Sequence, residues 1–272
     1  MALFNKMFKE FVPELKKAGM SDQEIQKIEQ EVENCINAED PPKIAMVGLC
    51  GVGKSSTLNA LFNAGRETND VVACTKEAAA VKGNVTEYVG SKGNVIVYDM
   101  PGLGEGIEED KCHLNTYKKV LPNVDVVVWT ISAGDRKMKP EQEALLMLKK
   151  TFGKSFTDKL VVVINKADIT APGETAWRTD MNMPSLEQQK NLTLFENYVA
   201  EKIKAVLPEW RGNIVSYSAK YRFRLDILMT AIVEAVPKNR RWVYDRSADV
   251  ADFKDLIDPR YKEYIMSMLD SK

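Results

Sequence analysis

Short apolar runs alternate along this chain with longer stretches in which apolar residues recur every three or four positions. The runs at 44–47, 80–88, 95–98, 124–131, 160–165 and 213–216 predict six strands, and the longer pattern predicts helices over 54–63, 111–121, 140–152, 188–206 and 225–236. Strands this uniformly apolar leave no face for water, so the alternation implies an α/β fold with a mostly parallel sheet covered by helices on both faces. In such sheets ligands bind beyond the carboxyl ends of the strands. The polar stretch 170–184, with Pro172, Gly173 and Trp177, reads as a long loop. Within a compact domain such a loop is functional or disordered.

The pattern divides the chain into an N-terminal helical extension over 1–40, a central domain over 41–237 and a C-terminal helical tail over 238–272. In the extension Leu3, Phe4, Met7, Phe8, Phe11, Val12 and Leu15 recur at helical spacing, with Lys6, Lys9, Lys16 and Lys17 among them. Pro13 kinks or shortens that helix. Ser21-Asp22-Gln23-Glu24 has the form of a capping box and opens a second helix, with Ile25, Ile28, Val32 and Ile36 on one face. Both helices are expected to pack on the central domain. The alternative is that residues 1–20, apolar on one side and net positive, touch a membrane surface or a protein partner. The tail opens with Lys238, Arg240, Arg241, Trp242, Tyr244 and Arg246, a composition that could meet RNA but suits a solvated linker better.

Composition narrows the classes. Of 272 residues, 44% are hydrophobic and 28% charged, which describes one medium globular domain with appendages. The formal charge of −1 removes any global electrostatic pull toward nucleic acid. Cys35, Cys50, Cys74 and Cys112 show no C-x-x-C spacing, so neither a disulfide framework nor a zinc site is expected, and a cytoplasmic, reducing compartment is. His113, the one histidine, is expected to be a solvated helix residue. No apolar run approaches the ~18 residues of a membrane span, and no signal peptide is visible.

The chemistry lies in four strings at strand ends. Gly48-Leu49-Cys50-Gly51-Val52-Gly53-Lys54-Ser55 fits GxxxxGK[ST] between a predicted strand and a predicted helix. Its glycines let backbone N–H groups converge on phosphate oxygens, and the helix N-terminus adds partial positive charge. Gly51, Val52, Gly53, Lys54, Ser55 and Ser56 are the candidate phosphate-binding residues; Lys54 would reach the β/γ-phosphates and Ser55 would take one Mg²⁺ position. Asp99-Met100-Pro101-Gly102 follows the third strand, so Asp99 can contact Mg²⁺ through water and Gly102 can bring bare backbone to a γ-phosphate.

Asn165-Lys166-Ala167-Asp168 ends the fifth strand. Asp168 can accept two hydrogen bonds from guanine's ring N–H and exocyclic amine, which adenine cannot offer. Asn165 would contact the base edge and bridge to the phosphate loop, with the Lys166 stem along the ring. Ser218-Ala219-Lys220 follows the sixth strand and would place the Ala219 N–H on guanine O6. Thr75, in the polar segment 67–77, is the candidate to complete Mg²⁺ coordination when a γ-phosphate is present, with Thr68 its rival.

Together these residues resemble the five motifs of translation-factor-related P-loop GTPases, and the D-x-P-G and N-K-A-D wording is nearest the Era-like group. The likeness spans about 43–236. Trp129-Thr130-Ile131-Ser132-Ala133-Gly134-Asp135-Arg136 and Pro184-Ser185-Leu186-Glu187-Gln188 further resemble the small bacterial GTPases carried on cryptic prophages, the YfjP type. The resemblance implies a three-layer P-loop G domain with a mostly parallel six-stranded sheet, GTP and GDP as ligands, Mg²⁺ as cofactor and hydrolysis of GTP by water. The tail is too short for the RNA-binding KH domain that Era carries, so nucleic acid is not the expected partner.

One position departs from the Ras-type pattern, which places a water-orienting glutamine directly after the D-x-x-G glycine. Here that residue is Leu103, so isolated turnover should be slow. Era-like enzymes share such a replacement, and some relatives recover the rate with potassium held by an asparagine at the fourth P-loop position. That position is Gly51. The pattern G-x-x-G-x-G-K-S is instead similar to septins, chloroplast-import GTPases and immunity-related GTPases, members of which associate face to face across the nucleotide. The resemblance therefore implies a homodimer across the nucleotide face. Arg136 is the candidate to act on a second copy's nucleotide, where an arginine is worth about 10³–10⁵ in rate. Glu105 is a weaker candidate for positioning water.

Overall fold

The structure is a computed structural model, and it describes residues 12–13, 15–17, 20–27, 41–62, 78–84, 94–134 and 137–237. The chain divides into two compact units: Pro42–Asn84 with Asn94–Val236, and Met1–Pro41 with Val85–Gly93 and Pro237–Lys272.

The larger unit runs β1 (Lys43–Gly48), α1 (Lys54–Phe62), β2 (Ala79–Asn84), β3 (Asn94–Asp99), α2 (Ile107–Val120), β4 (Val126–Ser132), α3 (Met138–Phe152), α4 (Lys154–Asp158), β5 (Leu160–Asn165), α5 (Leu186–Val206), β6 (Ile214–Ser216) and α6 (Leu225–Ala235). The strands form one six-stranded sheet in the order β2-β3-β1-β4-β5-β6. All neighbours are parallel except β2 and β3. The link 85–93 is shorter than the crossover of about a dozen residues that a parallel pair requires, so β2 returns antiparallel.

Successive side chains of a strand point to opposite faces, and both faces here are apolar. Ala45, Val47, Val127, Trp129, Ile131, Val162 and Ile164 pack with Tyr117 of α2, Leu145 and Leu148 of α3, and Val199 and Ile203 of α5. On the other face α1 packs against β1–β3 and α6 against β4–β6. Each fully buried large apolar side chain contributes about 1.5–3 kcal/mol, so this two-sided core dominates the stability. Trp129 lies deep within it because its Nε1 donates to Glu141 Oε2 at 2.7 Å, leaving no orphaned donor.

Element ends differ from the sequence pattern for local reasons. Helix α2 starts at Ile107 rather than 111: its first turn carries Glu108, Glu109 and Asp110, which the helix dipole favours but apolar periodicity does not register. Helix α3 starts at Met138, ahead of Pro140, because the first turn leaves its N–H groups unbonded and a missing one costs nothing. Helix α5 starts at Leu186, where Ser185 and Gln188 form a capping box. The segment 170–184 is built rather than loose. It holds a short 3₁₀ turn at Glu174–Ala176, a bridge between Arg178 and Met183, and a buried Trp177 packed with Ala167 and Leu192.

In the smaller unit Leu15 and Ile25 are buried in one cluster with Val12 and Met20. The capping box is present: Glu24 N–H donates to Ser21 Oγ at 3.3 Å and Ser21 N–H to Glu24 Oε2 at 2.8 Å. Residues 1–11, 28–40 and the basic tail from Lys238 lie outside the described residues. Among the described residues, no helix is long and apolar enough to cross a membrane.

Candidate functional site

The carboxyl ends of β1, β3 and β5 and the loop after β6 bring the sequence strings together. From Gly48 the chain turns into α1, and the buried Lys54 side chain folds back over the turn, its Nζ donating to Gly48 O at 3.2 Å and Leu49 O at 2.9 Å. Gly53 has φ +92°, and a Cβ there would lie 2.4 Å from Asn165 Nδ2. Only glycine lets the loop after β5 close onto this turn.

Burial pushes the Lys54 ammonium down to about 8, against the opposing pull of Asp99, Glu141 and Glu105. A phosphate brought beside Nζ adds negative charge and raises that value again. Binding of a phosphate-bearing ligand is therefore expected to take up a proton above about pH 8, and its affinity to fall by up to about tenfold per pH unit beyond. Calorimetry at pH 9 in buffers of different ionisation enthalpy measures that uptake directly.

Ser55 Oγ donates to Asp99 Oδ2 at 2.7 Å, and Asp99 is fully buried. A hydroxyl and a carboxylate, both hard oxygen donors, suit a small divalent cation such as Mg²⁺ that keeps most of its waters. Thr75, proposed from the sequence for the same ion, lies outside the described residues, as does its rival Thr68.

The D-x-P-G segment runs alongside the phosphate loop. Leu103 N–H donates to Gly48 O at 3.2 Å, and Cys50 N–H donates to Leu103 O at 3.0 Å. A Cβ on Gly102 would stand 2.8 Å from Cys50 Cα, so this close approach also requires glycine. The Leu103 side chain is buried in the core with Met100 and Tyr117. It is buried as well as lacking a hydrogen-bonding group. Glu105 is exposed, and Arg136 lies outside the described residues.

Two expectations fail here. His113 is buried rather than solvated, with Nδ1 2.8 Å from Gly102 O. A carbonyl only accepts, so that nitrogen carries the proton. Tyr117 Oη donates to Pro101 O at 2.7 Å, so α2 holds two consecutive carbonyls of the D-x-P-G turn. The spacing of four put both side chains on one helix face, but the polar neighbours gave no sign that this face turns inward. Cys50 is disulfide-bonded, against the expectation drawn from scattered cysteines.

On the other side, Asn165 joins three motifs. Its Nδ2 donates to Val52 O at 3.1 Å and Gly53 O at 3.4 Å, and its Oδ1 accepts from Ala219 N–H at 3.1 Å. The Ala219 N–H is thus engaged by Asn165 rather than open. Lys166 adopts a left-handed conformation, φ 61°, that side chains other than glycine seldom take. Its Nζ donates to Gly51 O at 2.8 Å. The buried Asp168 accepts a hydrogen bond from Ser218 Oγ through Oδ1. Lys220 points outward and pairs with Glu174. Ser56 sits half-buried in the first turn of α1.

Residues 43–166 match the family model described as 50S ribosome-binding GTPase, a span that holds all of these motifs except Asp168 and the segment 218–220. Over that span the chain is similar to P-loop GTPases. It is 26% identical over 199 residues to YfjP of Escherichia coli K12, covering 72% of this chain and 63% of YfjP. It is also 26% identical over 210 residues to YkfA of the same organism, covering 77% of this chain and 66% of YkfA. The match spans just under two thirds of the length of each relative. The crystal structure of an Era variant from Aquifex aeolicus bound to GDP and AlF₄⁻ shares the fold, with a TM-score of 0.53 and 24% identity over 73% of this chain and 58% of that one.

Proposed function

We propose that this protein binds GTP and GDP with Mg²⁺ and hydrolyses GTP slowly on its own, acting as a switch whose catalysis is completed by a second copy or another protein. The observation that supports the guanine reading is the Asn165 tie to both Val52 and Ala219, which joins the phosphate loop to the loop after β6, where Ser218 Oγ donates to the buried Asp168 carboxylate. Against adenine that buried carboxylate would keep its bond from Ser218 but lose both donors of the base, which costs more than a lost hydrogen bond between neutral groups.

Lys54 and the backbone of Gly51, Val52, Gly53, Ser55 and Ser56 bind the phosphates in this reading. Asn165, Lys166, Asp168, Ser218, Ala219 and Lys220 form the base pocket, with guanine O6 facing the loop after β6. Ser55, Asp99 and Thr75 hold Mg²⁺, which when bound offsets charge on the phosphate oxygens. The Gly102 N–H senses the γ-phosphate, and the His113 and Tyr117 bonds carry its displacement to α2.

The burial of Leu103 supports a catalytic group from outside this site, and Arg136 of a second copy is the candidate. GTP turnover per protomer is expected to climb with protein concentration, and Arg136→Ala to flatten that dependence. A flat rate with tight GTP binding assigns the missing group to another protein. A rate no faster than buffer, with binding retained, favours a module in which hydrolysis is minor, the second reading that Leu103 permits. For residues 1–20, the buried contact of Leu15 with Ile25 favours packing within the chain over a membrane surface.

A further inference from the structure

We infer that Gln188, the last residue of the Pro184–Gln188 string, positions Asp168 for recognition of the base; this rests on the guanine reading above. Gln188 is fully buried at the start of α5. Its Nε2 donates to Asp168 O at 3.0 Å, Gly173 O at 2.9 Å and Thr170 O at 3.3 Å. Three carbonyls converging on one point repel each other unless a donor stands between them, and one amide group supplies two hydrogens to share. Fixing the Asp168 carbonyl fixes the turn Ala167–Ile169 from which its carboxylate projects.

The rest of the segment 170–184 ties the same turn to the loop after β6. Trp177 packs with Ala167 beneath the turn, stacks on Tyr221 at 5.2 Å between ring centres, and meets Phe223 edge-on. Glu174 accepts from Lys220 Nζ and from Tyr221 Oη, and Asn182 Nδ2 donates to Tyr221 O at 2.9 Å. The segment is thus a brace joining the two base-reading loops, with Gln188 as the bond nearest the reading carboxylate.

Gln188 also serves the helix cap, since its Oε1 accepts from Ser185 N–H at 3.1 Å and its N–H donates to Ser185 Oγ at 3.2 Å. The test separates the two roles. Gln188→Glu keeps the acceptor for the cap and loses the donors to the three carbonyls. Ser185→Ala weakens the cap and leaves the donors. Each full-length variant is titrated with GDP and with IDP, whose base lacks the exocyclic amine that would donate to Asp168, and its Tm is recorded.

The expected result is that the wild-type preference for GDP over IDP falls about tenfold in Gln188→Glu and is unchanged in Ser185→Ala at a comparable loss of Tm. An unchanged preference in Gln188→Glu overturns the inference and leaves the residue a cap. Should Gln188→Glu not fold, Gln188→Met, which puts no carboxylate among the carbonyls, is read by the same ratio. A wild-type chain that binds GDP and IDP equally overturns the guanine reading itself, and this inference with it.

Discussion

Replacing Asp168 with asparagine is expected to weaken GDP binding by roughly 10²–10⁴ while raising affinity for XDP. In the proposed reading the carboxylate accepts from guanine's ring N–H and exocyclic amine, and hydrogen bonds to a charged group are worth about 1.5–3 kcal/mol each. Losing both costs about 3–6 kcal/mol, which is that range of Kd. Asparagine keeps Oδ1, which accepts from Ser218, so the pocket retains its internal bond and the fold should be little affected. Its new N–H donor faces the 2-position of the base, where xanthine carries an oxygen in place of the amine. Titrating the variant with GDP and XDP checks both signs at once; equal loss of both would mean that Asp168 holds the loop and does not read the base.

Lys54→Met should cut GTP turnover by about 10²–10³ or more, the usual cost of removing one preorganised charge from a developing anion. The stem is kept, so the change is electrostatic. Its effect on stability runs the other way. Burial holds the folded-state ammonium at about 8, below its ordinary value of 10.5, so the charged form is penalised in the fold. Between those values the unfolded chain binds more protons, and the stability of the ligand-free wild type should rise with pH from about 8 to 10.5. The gain is of order 3 kcal/mol. Methionine lacks that slope. At pH 7 it removes the penalty and loses the bonds to Gly48 O and Leu49 O, so its Tm should match or exceed the wild type. Melting curves from pH 7 to 10 check this: a slope that survives in Lys54→Met would assign it to another group.

The parts of this site that could be read in advance are those whose chemistry is local. A glycine-rich turn, an aspartate at a strand end and the Asn165–Asp168 string each carry their meaning in a few consecutive residues between an apolar strand and a polar stretch. The parallel sheet was legible for the same reason, because uniformly apolar strands have no other stable arrangement.

What stayed hidden depends on which way side chains turn. Leu103 could be recognised as unable to orient water, but not as a core residue. His113 looked solvated among the polar residues of α2, yet it bonds the carbonyl of Gly102. The stretch 170–184 looked like a loop because its polar side chains mask one buried tryptophan, and Gln188 looked like an ordinary helix residue. Its three acceptors lie 15 to 20 positions away in sequence, beyond the reach of any periodicity.

The central claim is a guanine-specific phosphate site. Displacement of a fluorescent GDP analogue from the full chain in Mg²⁺, by GTP and by ATP, tests it most directly. The account predicts that GTP displaces the analogue at concentrations where ATP has no effect. Equal displacement by ATP, or no binding of the analogue, would contradict it.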